Sequence, residues 1–166
     1  MARYTDEVGI PHAMMRDGTP NGYSILHFDG NDYTVRYKVA RRPADYQMNV
    51  FAPGAVSSSE AGEKEVLVNV FSGSERTTVM MRLGREGEWI PLARVERPDP
   101  YFLELKRREL ESEPRPARPL PPADASRHLW AGRLPTDPPR GTFALEVRAT
   151  DMFGETFTAR RIIRVE

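Results

Sequence analysis

The chain has 166 residues, with 24 Lys plus Arg balancing 24 Asp plus Glu, so no net field favours nucleic acid or an anionic membrane. It contains no cysteine, which excludes disulfides, thiol nucleophiles and thiolate metal sites. No apolar run approaches the roughly 20 residues of a membrane span, and the leading MARYTD does not read as a signal peptide.

Residues 1–21 are punctuated by Gly9, Pro11, Gly18, Pro20 and Asn21. They read as a leading segment without regular structure that lies over the domain and joins it to a missing upstream one. Ile10, Met14 and Met15 are apolar side chains in this otherwise turn-forming stretch, unusual for a plain linker. Strand-like runs follow. Residues 23–28 lead into Asp29-Gly30-Asn31-Asp32, a hairpin turn, and Tyr33, Val35, Tyr37 and Val39 then alternate with Thr34, Arg36 and Lys38. Tyr46, Met48 and Val50 share one face of the next strand. Residues 57–62 read as loop, and 66–71, apolar on both faces, as a central strand. Asn49-Val50-Phe51 is echoed by Asn69-Val70-Phe71, too short for a repeat. Val79, Met81 and Leu83 mark another strand, which Arg85-Glu86-Gly87 turns into 89–95.

Asp99-Pro100 opens the one predicted helix, with an Asp cap and proline at its first position, running through Glu113 to a stop at Pro114. Residues 114–122, PRPARPLPP, read as an extended polyproline crossover with little packing of its own. A strand over 128–134 is broken by Pro138-Pro139. In the closing hairpin, 141–165, Phe143, Leu145, Val147 and Ala149 alternate with Ala144, Glu146, Arg148 and Thr150 before the turn at Asp151-Met152-Phe153-Gly154. About nine strands with one helical excursion near residues 99–113 predict an all-β fold, an immunoglobulin-like antiparallel sandwich. The domain spans 22–166, with a helix and proline-rich insertion at 99–122.

No catalytic constellation emerges from the residues. His12, His27 and His128 are scattered, and a metal site needs them to converge with carboxylates. Ser72-Gly73-Ser74-Glu75 has no histidine partner in sequence, and the helix glutamates form a charged face. Trp89, Trp130, Tyr101 and Phe102 would make a sugar-stacking platform if exposed together, but core packing is the simpler reading.

Residues 9–31, GIPHAMMRDGTPNGYSILHFDGN, and 40–51, ARRPADYQMNVF, resemble the start of the C-terminal domain of bacterial calcineurin-like metallophosphoesterases. VNVFSGSE at 68–75, the 128–130 stretch and EVRATDMFG at 146–154 are similar to its second half. The resemblance implies a multidomain, exported enzyme in which a phosphoesterase domain with two divalent metals precedes a β-rich module. That domain's motifs (Asp-x-His, Gly-Asp, Gly-Asn-His-Asp/Glu and Gly-His-x-His) do not occur here, so no catalytic, cofactor or metal residue carries over. What carries over is a place: residues 9–21 resemble the join to the catalytic domain. Ile10, His12, Met14, Met15, Arg16, Asp17 and Asn21 are therefore candidate interdomain contacts. The implied role is a non-catalytic accessory domain that packs on its upstream catalytic domain and shapes the substrate entrance. A glycan- or protein-binding envelope module is the alternative, and an independent hydrolase a distant third.

Overall fold

The computed structural model of the chain describes residues 2–5, 11–114, 116 and 119–166, with the backbone alone for 2–5 and 11–14. In chain order the strands are β1 Ala2–Thr5, β2 Pro11–Met14, β3 Gly22–Asp29, β4 Asp32–Val39, β5 Met48–Phe51, β6 Ala55–Val56 and β7 Glu65–Val70. They continue as β8 Thr78–Leu83, β9 Ile90–Pro91, β10 Ala93–Pro98, β11 Ala125–Arg133, β12 Gly141–Thr150 and β13 Thr156–Val165. A short 3-10 helix occupies Ser58–Glu63, and the α-helix α1 spans Pro100–Glu111.

Two sheets make a β-sandwich. One has the order β10-β11-β7-β5, the other β6-β13-β12-β8-β9. Every pairing within them is antiparallel except the short parallel contact of β6 with β13. The apolar members of the alternating patterns meet between the sheets: Val66, Val68, Val70 and Trp130 face Met81, Leu145, Val147 and Ile163. The opposite face of β7 is buried as well. There Asn69 has no exposed surface, and Phe71, just beyond the strand, is covered by Tyr37, Val39 and Tyr46. That double burial is what its unbroken apolar run requires. The two Asn-Val-Phe echoes lie side by side, with Asn49 opposite Asn69.

β3 and β4 form a separate two-stranded sheet joined by a two-residue turn, in which Gly30 takes φ +60°. Their base enters the covering layer over β7 through Tyr37 and Val39. The Asp99 carboxylate caps α1, accepting hydrogen bonds from the Tyr101 and Phe102 amides at 2.9 and 3.0 Å, the arrangement its Asp-Pro start predicts. Among the described residues no helix is long and apolar enough to cross a membrane.

Four local expectations change. Residues 1–21 include regular structure, since β1 and β2 pair with Ala2 opposite Met14. Residues 58–63 coil into the 3-10 helix. The predicted strand 89–95 divides: β9 stays with β8 while β10 joins β11 in the other sheet, and the buried Leu92 sits at the crossing. The proline-rich return also packs more than expected. Leu120 and Ala123 lie against the fully buried Phe102, and Lys106 Nζ donates to the Leu120 carbonyl at 2.6 Å.

Candidate functional site

The leading segment after β2 is a strap bound across the outer face of the four-stranded sheet. At its centre Gly18 adopts φ +86° and passes directly over the Asp99 side chain. A Cβ there would fall 2.2 Å from Asp99 Cγ, closer than any real contact, so only glycine fits. On either side, Asp17 and Thr19 reach a buried polar cluster contributed by three distant elements.

Asn69 on β7 is its hub. The amide nitrogen donates to Asp99 Oδ2 at 2.7 Å and to the Asp17 carbonyl at 3.3 Å. The Asn69 amide oxygen lies 2.7 Å from His128 Nδ1 on β11. An amide oxygen only accepts, so the imidazole carries a proton on Nδ1. His128 Nε2 in turn lies 3.2 Å from Thr19 Oγ1 and 3.3 Å from Asp17 Oδ2. The Thr19 amide donates to Asp17 Oδ1 at 3.0 Å, closing the loop.

The two carboxyls are displaced in opposite directions. Burial pushes Asp17 upward, but the hydrogen bonds from His128 and the Thr19 amide, with the His128 charge, outweigh it and hold the carboxyl at about 2. Asp99 is fully buried, and that desolvation raises it above the ordinary carboxylate range against the bonds from Asn69 and the helix amides. A second set of bonds fixes the strap's ends. Arg16 Nε donates to the Pro122 carbonyl at 2.8 Å, and its guanidinium meets Asp124 at 2.7 Å. The Asp124 amide donates back to the Arg16 carbonyl at 3.1 Å. Tyr37 Oη donates to the Pro20 carbonyl at 2.5 Å, and the Ala40 amide to that of Asn21 at 2.9 Å.

Hydroxyl, imidazole and amide in the order Thr19, His128, Asn69 follow the connectivity of an acyl-transfer triad. What they lack is access: Thr19 is 3% exposed and Asn69 fully buried, so no carbonyl can approach the hydroxyl. An open groove lined by Arg42, Asp45, Tyr46, Gln47 and Thr158 includes none of these three groups. A metal centre fits no better. Both oxygens of Asp17 and Asp99 and both nitrogens of His128 are already engaged. Among the described residues no three His, Asp or Glu side chains gather as ligands. The cluster's chemistry is that of a latch.

The candidate contacts are placed as follows. Ile10 lies outside the described residues, and His12 and Met14 belong to β2, where only the backbone is described. Met15 is 41% exposed. Arg16 and Asp17 turn onto the sandwich, and Asn21 is exposed at the mouth of the β3–β4 hairpin. Of the other histidines, His27 sits exposed on that hairpin. The four aromatics do not share a surface. Trp130 and Phe102 are buried in different clusters, and the Arg82 and Arg148 guanidiniums lie over the Trp89 ring, 4.7 and 4.4 Å from its centroid. Thr19, Asn69, Asp99, Asp124 and His128 escape sequence reasoning as partners, because they are brought together only by the closed fold.

A family model described as the C terminal of calcineurin-like phosphoesterase matches residues 3–157. Neither the curated proteins nor the solved structures returned a match. The matched span takes in the strap, the polar cluster beneath it, the helical insertion and most of both sheets. The chain therefore belongs to the family of C-terminal domains of calcineurin-like phosphoesterases.

Proposed function

We propose that this chain is a non-catalytic accessory domain that packs on the phosphoesterase domain of its own polypeptide and borders that domain's substrate entrance. The two divalent metals and the hydrolytic chemistry belong to the partner domain. Residues 1–21 are the junction on this reading, with Ile10, His12, Met14 and Met15 as its contacts and Arg16, Asp17 and Asn21 along its polar rim. The observation that carries this reading is the latch. A flexible tether needs no buried carboxylate–imidazole–amide cluster, whereas a junction that must hold one orientation does.

The test compares the two-domain polypeptide with this chain and with the phosphoesterase domain alone. One cooperative unfolding transition for the two-domain form, and a raised or lowered KM for bulky phosphodiesters when the sandwich is removed, are the expected results. Two independent transitions with unchanged kinetics would overturn the proposal. With manganese, zinc or iron supplied, this chain alone should hydrolyse no phosphodiester above a metal-only blank. Turnover that vanishes in His128→Ala would make it an enzyme.

A further inference from the structure

We infer that the face of the β3–β4 hairpin carrying Leu26, Phe28, Tyr33 and Val35 is the surface on which the phosphoesterase domain of the same polypeptide seats. This inference rests on the accessory-domain reading above and names the surface it uses.

Register defines the face. Leu26 stands opposite Val35, Phe28 opposite Tyr33, Ser24 opposite Tyr37 and Gly22 opposite Val39, and cross-strand partners share a side of the sheet. At the hairpin's base this side is core: Val39 is fully buried and Tyr37 is 8% exposed, both packed with Phe71. Further out the same side stays apolar but loses its cover, with Leu26 54%, Phe28 67% and Tyr33 51% exposed. Ring contacts extend it to the β12–β13 turn, Phe28 to Tyr33 at 6.4 Å and Tyr33 to Phe153 at 5.9 Å. Arg36 and Glu155, paired at 2.8 Å, also link the hairpin to that turn.

The other side differs in kind. Tyr23 faces Lys38, Ile25 faces Arg36 and His27 faces Thr34, so each exposed apolar group has a polar neighbour, as on a solvated surface. A two-stranded sheet is marginal in water by itself. An apolar face continuous with the core and open at its outer half is a surface built to be covered.

The tether selects the occupant. The strap, latched at Asp17 and Thr19, runs straight into β3 at Gly22, and Ala2 is paired beside Met14. A domain joined ahead of β1 thus enters next to Met14, eight residues from Gly22, a reach of about 28 Å at about 3.5 Å per residue. A domain held at that range by the latched strap meets the hairpin within one polypeptide, independently of protein concentration, an advantage no separate protein has.

The absence of cysteine makes a direct test available, since one introduced thiol is unique within this chain. Phe28→Cys probes the proposed face, Ser24→Cys probes it with every ring retained, and Thr34→Cys reports the opposite side. In this chain alone all three should react with a maleimide as open thiols, at rates independent of protein concentration. In the two-domain polypeptide the first two should slow at least tenfold and Thr34→Cys should not. Equal rates for Ser24→Cys with and without the phosphoesterase domain would overturn the inference. So would protection in this chain alone that dilution removes, which would identify a second copy as the occupant. If the two domains unfold together while both face thiols stay reactive, the accessory reading survives and only this surface is wrong. If they unfold separately, both readings fall.

Discussion

Gly18 and Gly30 both hold positive φ, at +86° and +60°, yet only the first is crowded: nothing lies within 4 Å of a Cβ added at Gly30. Gly30→Ala should therefore cost only the left-handed backbone penalty, about 1–2 kcal/mol. Gly18→Ala adds a collision with Asp99, and overpacking of that kind brings a further cost of about 1–3 kcal/mol. Urea unfolding of the two variants checks the difference, and equal losses would mean the strap is free to lift. Asp17 gives the pH dependence of the same latch. Its carboxyl is held at about 2 against an ordinary 3.8, so its stabilisation is complete above the ordinary value and is lost as pH falls from about 4 towards 2. Asp99, raised by burial, acts with the opposite sign: its protonated form favours folding at low pH, and that contribution fades as pH rises through its folded value. Asp17→Asn should thus destabilise the chain at pH 7 and flatten the acid limb between pH 4 and 2, as read from denaturant midpoints across that range. An unchanged acid limb would remove Asp17 from the latch. At this scale the sequence was informative only where chemistry is local. Asp99 before Pro100 announces a helix cap, but nothing near it announces that its second oxygen meets Asn69, 30 residues away.

β12 shows an element whose two faces do different work. Leu145 is fully buried between the sheets, and Leu145→Ala should cost about 2–5 kcal/mol through the cavity it leaves. A much smaller loss by denaturant unfolding would mean that neighbouring β8 and β13 collapse into the space. Glu146 points the other way, as its place in the alternation predicts, but it is not idle there. It pairs across both neighbouring strands, with Arg82 at 2.6 Å and Arg160 at 2.9 Å, and Arg82 in turn lies over Trp89. Glu146→Ala leaves two guanidiniums flanking an empty position, so it should lower stability more than Glu155→Ala on the turn. A double-mutant cycle of Glu146 with Arg82 measures the coupling, and additivity would show the ladder to be ornamental. The period-two pattern revealed that Leu145, Val147 and Ala149 of β12 turn inward, because alternation is a property of the strand alone, but in β4 it holds only at Tyr37 and Val39 while Tyr33 stays exposed. The pattern could not reveal the ladder, which depends on register between strands 64 residues apart in the Arg82–Glu146 pair. For the same reason 89–95 read as one strand: the pattern persists through Leu92 while the backbone changes sheets.

For the whole molecule, the sequence carried the sandwich, the α-helix that Asp99-Pro100 opens and the family, since each is written in local patterns along the chain. What it did not carry is closure. The strap meets β7, β11 and the 122–124 return only in the folded state, and Asp17 and His128 are 111 residues apart. Proteolysis of this chain reads that closure directly. Trypsin cuts after Arg16 only when the Arg16–Asp17 peptide can leave the surface, and the Arg16 carbonyl is held by the Asp124 amide while the guanidinium is held by Asp124 and Pro122. Cleavage there should therefore require local opening and track its equilibrium. Arg41, exposed in the turn after β4, is the internal reference. Asp124→Ala removes the salt bridge but keeps the backbone bond, and should speed the Arg16 cut modestly. Asn69→Leu removes the hub, leaves His128 and Asp99 with unsatisfied groups worth about 1–3 kcal/mol, and should speed the cut about tenfold or more with the Arg41 cut little changed. If both sites accelerate together, Asn69 supports the whole sandwich rather than the strap. If neither does, the strap is held by contacts other than the latch.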